Sequence, residues 1–150
     1  EPAAPEYCRV MGLSLDDLCA PTFACHPLGV QFGEHLFTRS IRQVNDDLSL
    51  TFFCAIDTGI ILTQLQDTGL VDHFKSLMKN VVESIGEPQV VLACDCIHRF
   101  HEADRKQQLS ALAELYKRFN VVGFNTYGEQ RDGLHVNHSF TGIAIGKANG

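Results

Sequence analysis

The sequence predicts an α+β fold: a mixed, largely antiparallel β-sheet with two main amphipathic helices packed against it, in the order β-β-β-α-β-α-β-β. Three observations predict it. Apolar and polar residues alternate over residues 48–56, which is the period of a strand. Apolar residues recur every three or four positions over 70–85 and 103–119, which is the period of a helix. Between these two segments, residues 89–95 form a nearly continuous apolar run.

The first three strands should form a meander. Residues 36–44 are rich in Thr, Ile, Phe and Val, and the amide and carboxylate side chains at 45–47 are typical of a turn. Residues 36–44 and 48–56 should therefore pair as a hairpin. A second turn at 57–59 then leads into a third strand over residues 60–65.

The two helices have recognisable ends. The first should begin at Leu70, with Asp67 or Thr68 as its N-cap, and Gly86 follows its last apolar residue, as at many helix C-termini. The second should span about 103–119, with acidic residues near its start and basic residues near its end, the signs that the helix dipole favours.

The remaining strands should complete the sheet. Residues 89–95 are apolar on both faces, which is typical of an interior strand that is covered on both sides. Strands at 121–124 and 139–145, joined by a Gly-containing loop, follow the second helix. Ligand pockets commonly form at the carboxyl ends of interior strands, so the residues after position 94 are the first candidates for a site.

Composition excludes several classes of function. The chain has 150 residues, of which 45% are apolar, and this fits one folded domain. No apolar run approaches the roughly 18–20 residues that span a bilayer, so we expect no membrane segment. The net charge is −6 and the basic residues are scattered, so we expect no nucleic acid partner. Six cysteines are too few for a disulfide scaffold of this length, so we expect reduced thiols and a cytoplasmic protein.

The start of the chain has a different composition from the rest. Two prolines and two alanines within residues 1–5 are typical of a linker, and residues 6–19 could hold one or two short helical turns. We therefore predict a linker and N-terminal helical segment over residues 1–25 and a folded domain over 26–150. The linker-like start suggests a further domain upstream.

Cysteines and histidines cluster after the apolar run. On a strand, Cys94, Cys96 and His98 would share one face. Two thiolates and an imidazole can bind zinc, and His101 from the next turn could be a fourth ligand, although the spacing is not that of a standard zinc finger. The alternative is that Cys94 is a core residue, Cys96 a partly exposed thiol and the histidines surface residues. A nucleophilic Cys96 would instead make the domain an enzyme.

A carboxylate and a guanidinium stand four positions apart in the same segment. Asp95 ends an apolar strand, where a buried carboxylate is costly unless it has a partner. Arg99 is close enough in sequence to be that partner. The pair can hold the end of the strand as a salt bridge, or Arg99 can bind an anionic ligand, and the sequence leaves both readings open.

A second polar segment follows the strand at 121–124. It contains Tyr127, Gly128 and Glu129, and Asn137 lies eight residues beyond Glu129. Such a density of polar residues is typical of a ligand-binding loop or of a well-bonded turn. The sequence contains no Ser-His-Asp order, nucleophile elbow, phosphate-binding loop or CxxCH haem motif, so we expect a domain without enzymatic activity.

These segments resemble the C-terminal domain of the FIST family, the F-box and intracellular signal transduction proteins. The most specific motifs are Gly-Phe-Asn-Thr-Tyr-Gly-Glu at 123–129 and Asn-His-Ser-Phe-Thr-Gly at 137–142. Asp-Cys-Ile-His-Arg at 95–99 adds to them. The resemblance covers roughly residues 26–146.

The resemblance implies a sensory domain of bacterial signal transduction that binds a small molecule, such as an amino acid. It also implies a FIST N-terminal domain upstream and a histidine kinase or a cyclic-di-GMP enzyme as signalling partner. Carried over by position, the motif residues that we predict to form the ligand site are Asp95, Cys96, Arg99, Tyr127, Gly128, Glu129 and Asn137.

The roles of these residues follow from their chemistry. Arg99 would pair with an acidic group of the ligand, Glu129 would take an amino group, and Tyr127 would offer a stacking face with a hydroxyl. One branch of the family resembles haem-binding nitric-oxide sensors, so haem or zinc bound through Cys96 or a histidine is an alternative. A protein-interaction module is another, because the same domain pair serves substrate recognition in F-box relatives. The ligand-site hypothesis requires Arg99 and Glu129 to share one cavity.

Overall fold

The computed structural model describes residues 2–33, 35–66, 69–131 and 134–147. Its helices are α1 (Ala3–Met11), α2 (Ala20–Cys25), α3 (Leu70–Ile85), α4 (Ile97–Arg105) and α5 (Leu109–Arg118). Its strands are β1 (Leu28–Phe32), β2 (His35–Arg39), β3 (Ile41–Val44), β4 (Leu50–Phe52), β5 (Thr63–Gln64), β6 (Val90–Cys96), β7 (Val121–Thr126), β8 (Glu129–Arg131), β9 (Leu134–Val136) and β10 (Phe140–Ile145). This mixture confirms the α+β class.

The described strands are distributed over several small sheets. One has the order β2-β1-β5 and is antiparallel, and another has the order β10-β6-β7, in which β6 pairs antiparallel with β10 and parallel with β7. Two hairpins, β3-β4 and β8-β9, complete the set. The prediction of mostly antiparallel pairing is confirmed, but the predicted strands do not all join one sheet.

The predicted meander is correct in one turn and wrong in its pairing. The turn at 45–47 joins β3 to β4, as expected. The segment 36–44 is interrupted at Ser40, however, and its first part, β2, pairs with β1, a strand that we did not predict. The third predicted strand also pairs with β1. A Cβ at Gly29 would lie 2.6 Å from a methyl of Leu65, so glycine in β1 allows this close packing.

Helix α3 matches its prediction at both ends, Leu70 and Ile85. Its apolar face buries Leu70, Phe74 and Met78, which form an apolar cluster together with side chains of α4, α5 and β6. Another apolar cluster among the described residues surrounds Tyr7 and Phe23 in the N-terminal half. The two predicted caps, Asp67 and Thr68, lie outside the described residues.

The second predicted helix, 103–119, is in fact two helices. Helix α4 begins directly after β6, and it ends where Gln107 adopts a left-handed conformation, with φ of 56°. The amides of Gln107 and Gln108 donate to the carbonyl oxygens of Asp104 and Ala103, which is the Schellman pattern of a helix C-terminus. Because glutamine stands where glycine is usual, the sequence carried no sign of this break.

The strand predicted to be covered on both faces is covered on one. Val91 of β6 and its partner Ala144 pack in the cluster formed with α3 and α5, as expected for a strand between two neighbours. Their neighbours along the strands point to the other face, where no described element covers them. We call this surface the bare sheet face. Its exposed apolar residues are Leu92, Val122, Phe124, Ile143 and Ile145, of which Ile145, at 44%, is the least exposed.

The N-terminal segment is more ordered than its composition suggested. Helix α1 begins at Ala3, inside the predicted linker, and Ala4 is completely buried. The prolines do not prevent this, because Pro2 precedes the helix and Pro5 lies in its first turn, where no intrahelical amide bond is lost. No helix in the described part of the chain is both long and apolar enough to cross a bilayer.

Candidate functional site

A cavity of about 750 Å³ lies where the N-terminal half meets the end of the β10-β6-β7 sheet. The cavity is lined by residues of α2, β2 and the segment 65–66, by residues of α3, and by residues of α4 and the segment 136–141. Cavities of roughly 300–1,000 Å³ are typical of small-molecule sites. Because the residues that line the cavity come from segments far apart in sequence, only tertiary packing creates this space.

Arg99 is held in the wall by a charged neighbour. Because β6 runs directly into α4, Asp95 and Arg99 lie one turn apart, and the Arg99 Nε donates to Asp95 Oδ1 at 2.6 Å. The Tyr116 hydroxyl donates to the other carboxylate oxygen at 2.6 Å. Burial alone would lower the pKa of Arg99, but Asp95 and Tyr116 outweigh it and raise that pKa above its ordinary value. The guanidinium is therefore a permanent, oriented cation.

One nitrogen of this guanidinium is left unpaired. Arg99 Nη2 is buried and has no hydrogen-bond partner among the described residues, although Arg99 lines the cavity and is only 4% exposed. The ring of Phe140 lies 5.8 Å from its central carbon. A buried N–H without a partner is costly, so this atom is a candidate contact for a ligand.

Asn137 leaves a second atom unpaired in the lining of the same cavity. Its amide nitrogen donates to His135 Nε2 at 3.1 Å and makes a long contact, 3.5 Å, to the Tyr127 carbonyl. Its Oδ1 atom is buried and has no partner in the part of the chain that is described. The side chain is 2% exposed and lines the cavity. Asn137 therefore has an unpaired hydrogen-bond acceptor, whereas Arg99 has an unpaired donor.

His138 supplies a third unpaired atom. Its Nε2 lies 2.5 Å from Glu102 Oε2, and the other oxygen of Glu102 accepts from Lys106 Nζ at 2.6 Å. Burial would raise the pKa of Glu102, but these two partners outweigh it and lower that pKa. With Nε2 engaged, His138 Nδ1 is buried and unpaired within the described residues. His138 also has a φ of 56°, a conformation that few residues other than glycine adopt.

Glu129 is buried beside the cavity and is fully hydrogen-bonded. The hydroxyl of Thr126 donates to its Oε1 atom, and the hydroxyl of Ser139 donates to its Oε2 atom at 2.5 Å. Ser139 lines the cavity, whereas Glu129 does not. Glu129 and Arg99 thus lie at the same end of the sheet, but only Arg99 lines the cavity. The expectation that both would share one cavity is therefore wrong, and the predicted role of Glu129 as partner of a ligand amino group is not supported. The structure gives its carboxylate no open oxygen for a ligand amino group.

Apart from Glu129, the predicted site residues divide into three groups: residues that line the cavity, residues that support those, and residues that lie away from it. Arg99 and Asn137 line the cavity. Asp95 orients Arg99 through their salt bridge, so that interpretation of the pair is confirmed, and anion binding by Arg99 stays a prediction. Gly128 stands behind Asn137: a Cβ at this position would overlap His135 Nε2 and crowd Asn137 Nδ2, so glycine lets these two side chains meet.

Two predicted residues lie away from the cavity. Tyr127 is 70% exposed and stacks on Phe53, with ring centroids 6.0 Å apart. Cys96 is completely buried, and burial raises the pKa of its thiol. A nucleophilic cysteine needs an accessible thiol with a lowered pKa, so this environment is the opposite of the one that an active-site cysteine requires.

The proposed metal ligands do not come together. β6 ends at Cys96, and His98 already belongs to α4, so Cys94, Cys96 and His98 do not share a strand face. No group of three or more His, Cys, Asp or Glu side chains among the described residues could hold a metal ion. His98 packs instead against Phe53, with ring centroids 5.2 Å apart. Burial lowers its pKa to about 4. These residues therefore do not fit a zinc site.

Sequence reasoning missed the contribution of Glu102 and of the N-terminal residues that line the cavity. Glu102 and Lys106 have the i, i+4 spacing of a helix ion pair, which could have drawn attention to Glu102. No pattern in the neighbouring sequence predicts that Phe37 and Leu65 line a cavity, because only the tertiary packing brings them to the same cavity as α4.

Comparison with known proteins identifies the family. The family model described as the FIST C domain matches residues 3–132, most of the chain. The match begins earlier than the resemblance we saw from the motifs and includes helix α1, but it ends before the motif at 137–142, which contains Asn137. No curated protein and no solved structure gives a significant match. The chain therefore belongs to the FIST C domain family, a family of sensor-type domains in signal transduction.

Proposed function

We propose that this domain senses a small molecule bound in the cavity between its two halves, without catalysing a reaction. One observation carries the proposal: Arg99, Asn137 and His138 all line the cavity, and each has a buried polar atom with no partner among the described residues. Native proteins rarely leave such atoms unpaired, so they mark where a ligand or ordered water belongs.

The position of the cavity supplies a way to pass the signal on. Its lining residues come from both the N-terminal and the C-terminal half, which have separate apolar clusters. A ligand that contacts residues of both halves stabilises the arrangement in which they lie together around it. Binding would thus bias one conformation over another, which is the thermodynamic requirement for a sensor.

A survey of co-purified small molecules tests the proposal. Wild type, Arg99→Gln and Arg105→Gln are purified in parallel, and the molecules released on denaturation are identified by mass spectrometry. Arg105 is the matched control, because it lies in the same helix but is exposed and does not line the cavity. We expect at least one small molecule to be retained by wild type and Arg105→Gln and lost from Arg99→Gln.

The survey has a clear contrary result. If no small molecule is retained in an Arg99-dependent way, even after incubation of the proteins with a cell extract, the cavity is not a ligand site. Thermal melting of Arg99→Gln shows whether it is folded. Asn137→Leu, which leaves the Asp95–Arg99 ion pair in place, serves as a second variant if Arg99→Gln is not.

The setting of the domain follows from the resemblance and from its thiols. We infer that it acts in the cytoplasm, which is supported by six cysteines that form no disulfide with one another. A histidine kinase or a cyclic-di-GMP enzyme as signalling partner, a bacterial source and haem as a ligand remain predictions.

A second candidate function, protein interaction, is favoured by the bare sheet face. Exposed contiguous apolar patches commonly mark interaction sites. We propose that this face meets the FIST N-terminal domain that the resemblance leads us to expect. A second copy of this chain is a weaker candidate, since a net charge of −6 on each copy opposes association.

Charge substitutions test this interface. Phe124→Lys and Ile143→Lys are compared with Ile61→Lys, which introduces the same charge at an 81% exposed apolar residue elsewhere. We expect the first two variants, and not the third, to lose binding to a co-expressed FIST N-terminal domain in a pull-down assay. Binding that is unchanged in both variants would show that the bare sheet face is not the interface.

A further inference from the structure

The charges in the cavity restrict the ligands that it can take. Arg99 provides the unpaired N–H of a permanent cation. Glu102 is the one carboxylate among the described residues that line the cavity, and both of its oxygens are already engaged by Lys106 and His138. An anionic group therefore finds a partner at Arg99, whereas a ligand ammonium would have to share the negative charge of Glu102 with Lys106 and His138.

The unpaired acceptors restrict the ligand further. Asn137 Oδ1 can only accept a hydrogen bond, and His138 Nδ1 accepts when the ring is neutral and Nε2 carries the proton that faces Glu102. A plain carboxylate at Arg99 would leave the Asn137 acceptor in the same cavity unpaired. A neutral donor on the same ligand, such as a hydroxyl, can pair with it, and the carbon next to the carboxylate is the nearest position for that hydroxyl.

The rest of the cavity offers apolar side chains among polar ones. Leu36, Phe37, Leu65 and Val136 line it, and so do polar residues, namely His35, Thr38, Gln66, His73, Ser139 and Thr141. A volume of about 750 Å³ accommodates a body of several carbon atoms in addition to a charged group at Arg99. The apolar side chains can thus contact an apolar body of the ligand.

We propose that the cavity binds a small 2-hydroxycarboxylate with an apolar body, and not the zwitterion of the corresponding amino acid. The carboxylate pairs with Arg99, the hydroxyl donates to Asn137 or His138, and the apolar body contacts apolar residues that line the cavity. Glu102 acts as a positioning residue, because its carboxylate holds the His138 ring in the lining of the cavity. This inference rests on the proposed function and deepens it by naming a ligand class.

Three probes with one carbon skeleton test the ligand class: 3-phenyllactate, 3-phenylpropionate and L-phenylalanine. They carry a hydroxyl, a hydrogen and an ammonium, respectively, at the same carbon. We expect isothermal titration at pH 7 to rank 3-phenyllactate tightest, with the other two about tenfold or more weaker, the effect of one or two hydrogen bonds. The series is repeated with 2-hydroxy-4-methylpentanoate, 4-methylpentanoate and L-leucine.

Variants assign the effect to residues. Asn137→Leu should remove most of the advantage of 3-phenyllactate over 3-phenylpropionate, whereas Arg99→Gln should weaken both. Arg105→Gln should change neither. If both variants bind as wild type does, the probes occupy another place and the assignment is wrong.

The outcomes separate this inference from the proposed function. L-phenylalanine or L-leucine binding as tightly as its hydroxy analogue, or no binding by either series, would overturn the ligand class. If the survey of co-purified molecules still finds an Arg99-dependent ligand of other chemistry, the sensing function stands. If the survey finds none, the function itself fails.

Discussion

Two charged side chains are buried at the same end of the β10-β6-β7 sheet, and their surroundings differ. Glu129 has a hydroxyl donor on each oxygen, from Thr126 and Ser139. Arg99 has one strong ion pair, to Asp95, and one nitrogen with no partner in the described structure. The comparison teaches that burial of a charged residue does not mark a ligand site. An unsatisfied atom of a residue that lines a cavity makes that residue a candidate for ligand contact.

A third buried group shows why the cavity is also needed. His98 is 2% exposed, and both of its ring nitrogens lack partners among the described residues, yet it does not line the cavity. Its pKa, lowered to about 4, keeps it neutral near pH 7. It is therefore a cost to stability and not a contact for the ligand. Three substitutions separate these situations, and a fourth tests Tyr127, an exposed residue that was predicted to contact the ligand.

Removal of the counter-charge of Arg99 should have the largest effect. Asp95→Ala leaves a buried guanidinium without its ion pair, and breaking a buried pair in this way costs about 3–5 kcal/mol. Urea denaturation measures the loss in free energy of unfolding. The control is Asp72→Ala, which breaks an exposed pair with Lys75 and should cause no measurable change. Equal losses in the two variants would show that burial does not distinguish them.

Acidification should destabilise the domain through His98. Its pKa is about 4 in the folded protein and 6.5 ordinarily, so below pH 6.5 the unfolded chain binds a proton that the folded protein does not. Stability is therefore lost as the pH falls from about 6.5 to about 4, by about 2–3 kcal/mol for this one group. Denaturation of wild type and His98→Leu at pH 7 and pH 4.5 measures it.

The difference between the two proteins isolates the His98 contribution, because the other titrating groups are common to both. We expect the stability of His98→Leu to depend less on pH, whereas His73→Gln, a change at an exposed histidine, should behave as wild type does. An identical pH dependence in wild type and His98→Leu would mean that His98 is not buried as a neutral ring.

Neutralisation of Glu129 should cost less. Glu129→Gln keeps the shape of the side chain, and the hydroxyls of Thr126 and Ser139 can reorient, so we expect a loss of about 1 kcal/mol. Ligand affinity should not change, because Glu129 does not line the cavity. Denaturation and ligand titration are measured on the same preparation. A tenfold loss of affinity in a stable variant would restore Glu129 as a ligand contact.

Tyr127 should contribute least, although it was predicted to stack on the ligand. Its side chain is 70% exposed and its ring contacts Phe53. We expect Tyr127→Ala to change the free energy of unfolding by no more than about 0.5 kcal/mol and to leave ligand titration unaltered. Weaker ligand binding by this variant would place the site on the outside of the loop, away from the cavity.

Much of the fold could be read from patterns that are local in sequence. Helix α3 was predicted at its observed ends, since its apolar spacing and Gly86 both lie within one segment. The turn at 45–47 and the pairing of Asp95 with Arg99 depend on neighbours within a few positions, and both are present. Arg99 and Asn137 were also predicted to contact a ligand, and they meet at one cavity.

The errors have two sources. One is pairing between strands, since β2 has β1 as its partner. The other is an unusual residue at a helix end, since Gln107 ends α4 without the usual glycine. The sequence by itself determined the class of fold, the main helix and the polar residues that follow the central strands, because periodicity and chemistry are properties of adjacent residues. Only the tertiary structure decided which of those polar atoms remain unpaired beside open space, because that depends on side chains brought together from opposite ends of the chain.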